Sequence, residues 1–259
     1  MESKHVGMGV VICENVIDIN RDTLLRYMAW LYEMPEETFR FTDDGETAIN
    51  QTGFEFEAES VSIAPERFLD LRGERSGREI PEEFQLFVDS LEAAVYDAFI
   101  EYCCYFPDAA TTAWWRPAGH IATYKYDQRI GPHCDNQVPF KWGERPQNQV
   151  SMHNSTSINL YLNTQGQDFT GGEINFPQAS YVHQPTAGSV AIYPSNYIGR
   201  HEVLPVESGM RAAFLTIACY GVGNGEHEYV GMDMGKNRYW MPDIIQDRDN
   251  RRGAKPFEL

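Results

Sequence analysis

The sequence has few basic residues and no long apolar stretch. It contains 21 lysine and arginine residues against 38 acidic residues, so its net charge is −17. Nucleic acids and anionic membranes reward clustered cations, which are scarce here. No run approaches the roughly 18 apolar residues that suggest a membrane-spanning helix. We therefore expect neither nucleic acid nor membrane as a partner.

The cysteines of the sequence argue against a disulfide-stabilised protein. There are five cysteines, an odd number, and none has a CxxC spacing. This pattern is not a disulfide framework and indicates a reduced compartment. The residues after Met1 lack the apolar core of a secretory signal, so we predict a cytoplasmic protein. Its oligomeric state is left open between monomer and homodimer.

The remaining composition is that of a globular protein of enzyme size. Its 259 residues are 42% hydrophobic, enough for one large domain or one core with an appended segment. Helical spacing of apolar residues predicts one helix between Asn20 and Pro35 and a longer one between Pro81 and Pro107. We expect three parts: a supporting segment over 1–117, a core over 118–221 and a C-terminal extension over 222–259.

Four residues in the core suggest a metal centre. In an extended strand, His133 and Asp135 would point to the same face because side chains alternate. His201 follows 66 positions after Asp135, and Arg211 follows ten positions later. Two imidazoles and one carboxylate on one face of an octahedron leave three positions open, which suits non-haem Fe(II). Arg211 would then supply a fixed cation for the far carboxylate of an oxo-acid.

Short strands with turn signals between them follow Ala118, as in a sandwich or barrel. Within 156–163, Ile158, Leu160 and Leu162 alternate with polar residues and Tyr161. Polar side chains on the inner face of a barrel are costly unless they meet a ligand. This strand therefore adds to the expectation of a site inside the core.

These features resemble a known family. The residues that carry the resemblance are Tyr124, His133-Cys-Asp-Asn, Asn159-Leu-Tyr161-Leu-Asn, Gly171-Gly-Glu-Ile-Asn-Phe-Pro, Gly188-Ser-Val-Ala-Ile-Tyr, His201-Glu-Val and Arg211. They resemble the Fe(II)/2-oxoglutarate-dependent dioxygenases, within them the prolyl 4-hydroxylase-like branch. The implied fold is mainly β with supporting helices, around a double-stranded β-helix (jelly-roll, cupin-like) core.

The resemblance also implies a site and a reaction. Fe(II) would be bound by His133, Asp135 and His201, and 2-oxoglutarate would chelate it through the C1 carboxylate and C2 oxo group. The C5 carboxylate would meet Arg211, with Tyr124 and Tyr161 contacting the co-substrate. With O2, and ascorbate as an optional reductant, the products would be succinate, CO2 and a hydroxylated C–H. Related halogenases lack the carboxylate ligand, so Asp135 favours hydroxylation.

The substrate is less constrained by the sequence. Residues 36–80 could form a hairpin or a lid, and the polar segment 138–155 is a candidate substrate loop or lid, with a disordered insertion as the alternative. Lids that close over the site, together with the acidic composition, would favour a small molecule such as a free amino acid. Asp127, Glu144 and Asp168 are candidate partners for its cationic group. A peptidyl proline or another protein side chain is the alternative. Two other classes stay open, a cupin-like hydrolase or isomerase using zinc or manganese, and a non-catalytic binding barrel.

Overall fold

A layer of helices covers one face of a strongly bent β-structure. The structure, a computed structural model, describes residues 1–33, 71–73, 77–113, 115–116, 119–136, 153–220, 238–239 and 241–252. The helices are α1 (Arg21–Tyr32), α2 (Glu82–Tyr105), α3 (Pro107–Thr112) and α4 (Met241–Arg252). The strands are β1 (Glu2–Gly7), β2 (Val10–Glu14), β3 (Trp115–Arg116), β4 (His120–Tyr124), β5 (Ile130–His133), β6 (Asn154–Tyr161), β7 (Phe169–Gly171), β8 (Ile174–Phe176), β9 (Tyr181–His183), β10 (Val190–Pro194), β11 (His201–Val203), β12 (Val206–Gly209), β13 (Arg211–Cys219) and β14 (Arg238–Tyr239).

The strands form a major and a minor antiparallel sheet. The major sheet has the order β1-β2-β10-β6-β13-β3-β14, and β4 also pairs with β13. The minor sheet has the order β5-β11-β8-β9, and β12 pairs separately with β7. Strands adjacent in space are mostly distant in sequence, as the winding of a jelly roll requires. The predicted double-stranded β-helix is confirmed.

The two faces of the major sheet differ in what they bury. Ile158, Leu160 and Leu162 belong to the large core cluster that also contains the apolar face of α2. Tyr161 lies on the other face, in a smaller cluster with residues of the minor sheet. The alternation predicted for this strand is confirmed. Ser157 and Asn159, which share the face of Tyr161, therefore face the space between the two sheets.

The two predicted helices are present. α1 begins after Asn20, whose side chain accepts a hydrogen bond from the backbone N–H of Thr23 at 2.9 Å, a typical N-cap. It ends at Tyr32, followed by Glu33 in the left-handed region. α2 buries one face against the major sheet. No helix in the described ranges is long and apolar enough to cross a membrane.

Some elements were not predicted. β1 is largely polar and exposed, so its sequence carries no strand periodicity, yet it pairs with β2 from Glu2 onward. β2 in turn pairs with β10, so the first segment contributes strands to the major sheet. In the C-terminal part, α4 buries Ile244, and Tyr96 of α2 donates to Asp247 at 2.7 Å. Most residues of the two candidate lid segments, 36–80 and 138–155, lie outside the described residues.

Candidate metal and co-substrate site

Three potential metal ligands converge at one end of the minor sheet. His133 on β5 pairs directly with His201 on β11, and their ring centroids are 4.3 Å apart. Asp135 Oδ1 lies 3.3 Å from His133 Nε2 and 3.9 Å from His201 Nε2. One donor atom from each residue lies within 4.8 Å of the other two. This group could hold one metal ion.

Backbone carbonyl groups orient both imidazoles. His133 Nδ1 donates to the Gly131 carbonyl at 2.9 Å, and His201 Nδ1 donates to the Gly199 carbonyl at 3.0 Å. A proton fixed on Nδ1 leaves the lone pair on Nε2, the atom that faces Asp135 in each case. The neutral tautomer is thus already the one that a metal ion needs.

Asp135 is held beyond the end of its strand. β5 ends at His133 and Asp135 lies in the following turn, so the expectation of one continuous extended strand through both residues is wrong. The side chain of Asn154 instead fixes the turn by donating to the Asp135 carbonyl at 2.8 Å. The carboxylate still lies 3.3 Å from His133 Nε2.

Electrostatics keep this group ready to bind a cation. Burial alone would raise the pKa of Asp135, but the two imidazoles and the Ser157 hydroxyl hold it well below its usual range. Burial lowers the pKa of His201 to about 4, despite the neighbouring carboxylate. For His133, burial is outweighed by the hydrogen bond and charge of Asp135, so its pKa is raised. An ionised carboxylate and neutral His201 are the forms that donate to a metal.

A buried tyrosine that was not predicted from the sequence touches the metal-ligand group. The Tyr193 hydroxyl lies 3.2 Å from His201 Nε2 and accepts a hydrogen bond from Asn159 Nδ2 at 3.0 Å. Both side chains are buried. The alternating pattern of β6 had placed Asn159 on the inner face, but nothing in the local sequence distinguished Tyr193 from an ordinary core aromatic residue.

Arg211 lies deeper in the same interior. It is 2% exposed, and its guanidinium carbon lies 4.9 Å from the ring centroid of Tyr124 and 5.3 Å from that of Tyr161. Among the described residues, Arg211 Nε and the Tyr161 hydroxyl have no hydrogen-bond partner. Burial raises the pKa of Tyr124 to about 12 and also raises that of Tyr161, although Arg211 opposes both shifts. Both tyrosines are therefore protonated donors beside a cation, an arrangement that could hold a carboxylate.

The backbone around Arg211 is clamped. Asn163 donates to the Met210 carbonyl at 2.6 Å and accepts from the Ala212 N–H at 2.9 Å, so one side chain grips both flanking residues. Gly172 makes room for the arginine stem, since a Cβ there would lie 3.1 Å from Arg211 Cδ. Its φ of +68° also favours glycine. The guanidinium thus has a defined position before any ligand arrives.

The fold and these converging groups define a class of protein. Residues 119–219 match the family model of the 2OG-Fe(II) oxygenase superfamily. The matched segment is less than half of the chain but contains the three potential metal ligands together with Tyr124, Tyr161 and Arg211, and the chemistry of the matched family uses Fe(II), 2-oxoglutarate and O2. A comparison with curated proteins gives no match.

Solved structures with a similar fold include several prolyl hydroxylases. One is a prolyl hydroxylase from Trichoplax adhaerens in complex with a hypoxia-inducible factor peptide fragment. It is 20% identical, and the match covers 82% of this chain and 84% of that chain, with a TM-score of 0.46. A Pseudomonas putida prolyl-4-hydroxylase is 16% identical, and the match covers 83% of this chain and 94% of that chain, with a TM-score of 0.42. The viral collagen prolyl hydroxylase of Paramecium Bursaria Chlorella virus-1 is 18% identical, and the match covers 55% of this chain and 77% of that chain, with a TM-score of 0.40.

Two of the three acidic residues suggested for a cationic substrate lie within the described ranges, and their surroundings differ. Asp168 is buried, pairs with Arg21 at 2.7 Å and accepts from the Thr164 N–H, so it fastens α1 to the loop after β6. Asp127 lies exposed in a left-handed turn, and Glu144 is outside the described residues. Asp168 therefore has a structural partner that the sequence did not suggest.

Proposed function

We propose that this protein hydroxylates a C–H bond in a side chain of a peptide or protein, with a prolyl residue as the first candidate. In this proposal His133, Asp135 and His201 bind Fe(II). Arg211, assisted by Tyr161 and Tyr124, binds the C5 carboxylate of 2-oxoglutarate. The observation that carries the proposal is the buried Arg211, which lies in the interior that also contains the metal-ligand group. In the part of the chain that the structure describes, its Nε atom and the neighbouring Tyr161 hydroxyl lack hydrogen-bond partners.

The residues present fit both groups that the class requires. Two imidazoles with Nε2 lone pairs and one ionised carboxylate are the donor set of a non-haem iron site with open positions. Among the described residues, no carboxylate forms an ion pair with Arg211, and a buried cation of this kind is costly without an anion. A dicarboxylate that spans from the metal to Arg211 would satisfy both needs.

Each protein group has a defined task. When bound, iron with 2-oxoglutarate and O2 supplies the oxidising chemistry that yields succinate, CO2 and a hydroxylated substrate carbon. The Gly131 and Gly199 carbonyls hold the imidazoles in the binding tautomer. The tyrosine rings beside Arg211 exclude water from the carboxylate end, which strengthens the charge-assisted hydrogen bonds there.

The substrate would approach from the side of His133 and Asp135. Their side chains are each 19% exposed, whereas that of His201 is 4% exposed. An opening at these ligands would admit one side group of a larger molecule while its backbone stays outside. Prolyl peptides are tested first because the motifs of this sequence resemble those of the prolyl 4-hydroxylase-like branch. A free amino acid is the second candidate and is tested in the same assay.

The first experiment is an anaerobic titration of the protein with Fe(II) and 2-oxoglutarate, following the weak visible charge-transfer band of the iron–co-substrate complex. We expect a band only when both are present, and none in Asp135→Ala. Metal binding without the band would overturn the oxygenase assignment of these residues and favour a hydrolase-type metal site. Lack of metal binding would favour a binding barrel.

The second experiment measures succinate release in air with proline-containing peptides and with free amino acids, including lysine and arginine. We expect stimulation by peptides, and a mass increase of about 16 Da on the peptide. Stimulation by free amino acids alone would replace the peptide proposal with the small-substrate one.

A further inference from the structure

A third unpartnered polar group lies beside Arg211 and Tyr161. His183 on β9 is 3% exposed, and its buried Nε2 atom has no hydrogen-bond partner within the described ranges. Its ring centroid lies 5.2 Å from that of Tyr161. Three buried polar atoms without partners are thus contributed by neighbouring side chains. Since buried polar groups are nearly always hydrogen-bonded, this concentration indicates a missing polar ligand rather than three separate defects.

Strand pairing shows which way His183 faces. It pairs with Ile174 on β8, which in turn pairs with Val203 on β11, so the three residues form a row across the minor sheet. Ile174 is buried in the same cluster as Tyr161. Val203 is two residues from His201 and shares its face of the strand. His183 therefore faces the interior from the minor sheet, opposite the major-sheet strands that carry Tyr161 and Arg211.

Charge decides what His183 offers to a ligand. Burial lowers its pKa to about 4, and the nearby Arg211 adds to this effect. Of the described residues, the other titratable groups against its ring are Tyr161 on β6 and Tyr181 on its own strand, both with raised pKa values. At neutral pH the imidazole is uncharged and does not repel the guanidinium. With its proton on Nε2 it is a hydrogen-bond donor that faces the same space.

We propose that His183 is a co-substrate-positioning residue that donates a hydrogen bond from Nε2 to the C5 carboxylate of 2-oxoglutarate. This inference rests on the proposed function, since it needs Arg211 and Tyr161 to bind that carboxylate. It adds a contact from the minor sheet to a site otherwise formed by β4, β6 and β13. The carboxylate would then be held from both sheets, which fixes its depth in the interior as well as its orientation.

The test compares two ligands and three variants. His183→Phe keeps an aromatic ring and removes the donor, whereas His183→Gln keeps an N–H at similar reach. Val182→Ala is the control, since Val182 is exposed on the opposite face of the same strand. Dissociation constants are measured anaerobically on Fe(II)-loaded protein for 2-oxoglutarate and for 2-oxopentanoate. The second ligand has the same chelating end and carbon-backbone length but a methyl group in place of the C5 carboxylate.

We expect His183→Phe to weaken 2-oxoglutarate about ten- to a hundredfold, as loss of a hydrogen bond to a charged group would. Binding of 2-oxopentanoate should change less than about twofold, and His183→Gln should recover part of the loss. At saturating 2-oxoglutarate, kcat should be close to that of the unaltered protein, because the metal ligands are untouched.

Two outcomes would overturn the inference while leaving the proposed function intact. Equal weakening of both ligands would mean that His183 only supports the fold of the pocket. Unchanged 2-oxoglutarate binding in His183→Phe would mean that it makes no contact. If the unaltered protein bound no 2-oxoglutarate at all, the proposed function itself would fail, and this inference with it.

Discussion

Replacing Arg211 by methionine should strongly weaken co-substrate binding while leaving the stability of the metal-free protein nearly unchanged. Methionine fills a similar volume along Gly172 but carries no charge. In the metal-free protein the guanidinium is 2% exposed and has aromatic rings as its nearest described partners. Replacing buried charges by apolar residues commonly stabilises a protein by about 1–4 kcal/mol, from which about 1 kcal/mol of cation–π attraction per ring must be subtracted. With two rings, the net change lies between a loss of about 1 kcal/mol and a gain of about 2 kcal/mol, so we expect the stability of metal-free Arg211→Met to be close to that of the unaltered protein.

Co-substrate binding should be lost in the same variant. Breaking a buried ion pair from one side costs about 3–5 kcal/mol, which is about a hundredfold to several thousandfold in Kd. At 2-oxoglutarate equal to 100 times the normal Kd, binding adds about 2.7 kcal/mol to the unaltered protein. For a protein of this size that is a rise in Tm of about 5–10 °C. In Arg211→Met the rise should be about 1 °C or less.

The assay is thermal unfolding of Mn(II)-loaded protein with and without 2-oxoglutarate, since manganese binds the same donor types without turnover. Arg129→Met is the matched control because Arg129 is an exposed arginine in the turn before β5. It should keep the full ligand-induced shift. The reasoning is refuted if Arg211→Met keeps that shift, or if its metal-free Tm falls by more than about 5 °C, which would show that the guanidinium has a structural partner.

Three further changes test the surrounding groups. Asp135→Ala should lower metal affinity at least about a hundredfold, because it removes the carboxylate donor of the group. Isothermal calorimetry measures this affinity, and an unchanged value would show that the metal binds at another site. Tyr193→Phe should lower the unfolding free energy of the metal-free protein by about 1–2 kcal/mol in urea, because Asn159 loses its acceptor; an unchanged midpoint would contradict that hydrogen bond. Burial lowers the pKa of His183 from 6.5 to about 4 in the folded protein. As pH falls, the unfolded state therefore takes up a proton before the folded state does. The unfolding free energy of the metal-free protein should fall by up to about 3 kcal/mol between pH 6.5 and pH 4. His183→Phe should remove that part of the pH dependence, and an unaltered slope would refute it.

The sequence predicted what depends on order and alternation. The His-x-Asp pair, the later His201 and Arg211 were found because each residue type is unusual in its place, and a charged residue at the start of an apolar strand needs an explanation. The inner face of β6 followed from simple alternation. These signals are local, so they survive without knowledge of the strand order.

Contacts between distant strands could not be predicted in the same way. His183 is a single histidine in a short strand, and its meaning depends on its pairing with Ile174 and on Tyr161 across the interior. Tyr193 is likewise unremarkable until His201 is brought to its hydroxyl. Simple alternation also fails where a strand ends: two positions beyond Tyr124, Tyr126 would share its face in a longer strand, yet the strand ends at Tyr124 and Tyr126 is 75% exposed.

The division of the site between two sheets has a mechanical consequence. The candidate iron ligands come from the minor sheet and its following turn, whereas Arg211, Tyr161 and Tyr124 come from the major sheet. The distance between metal and guanidinium is therefore set by the apolar side chains that separate the sheets, among them Ile174 and Phe176. A smaller residue at either position would let the sheets approach or shift while leaving every ligand in place. Because the two ends of 2-oxoglutarate must reach the metal and Arg211 at once, such a change should weaken co-substrate binding more than metal binding. The proposed contact from His183 on the minor sheet makes co-substrate binding still more sensitive to the distance between the two sheets.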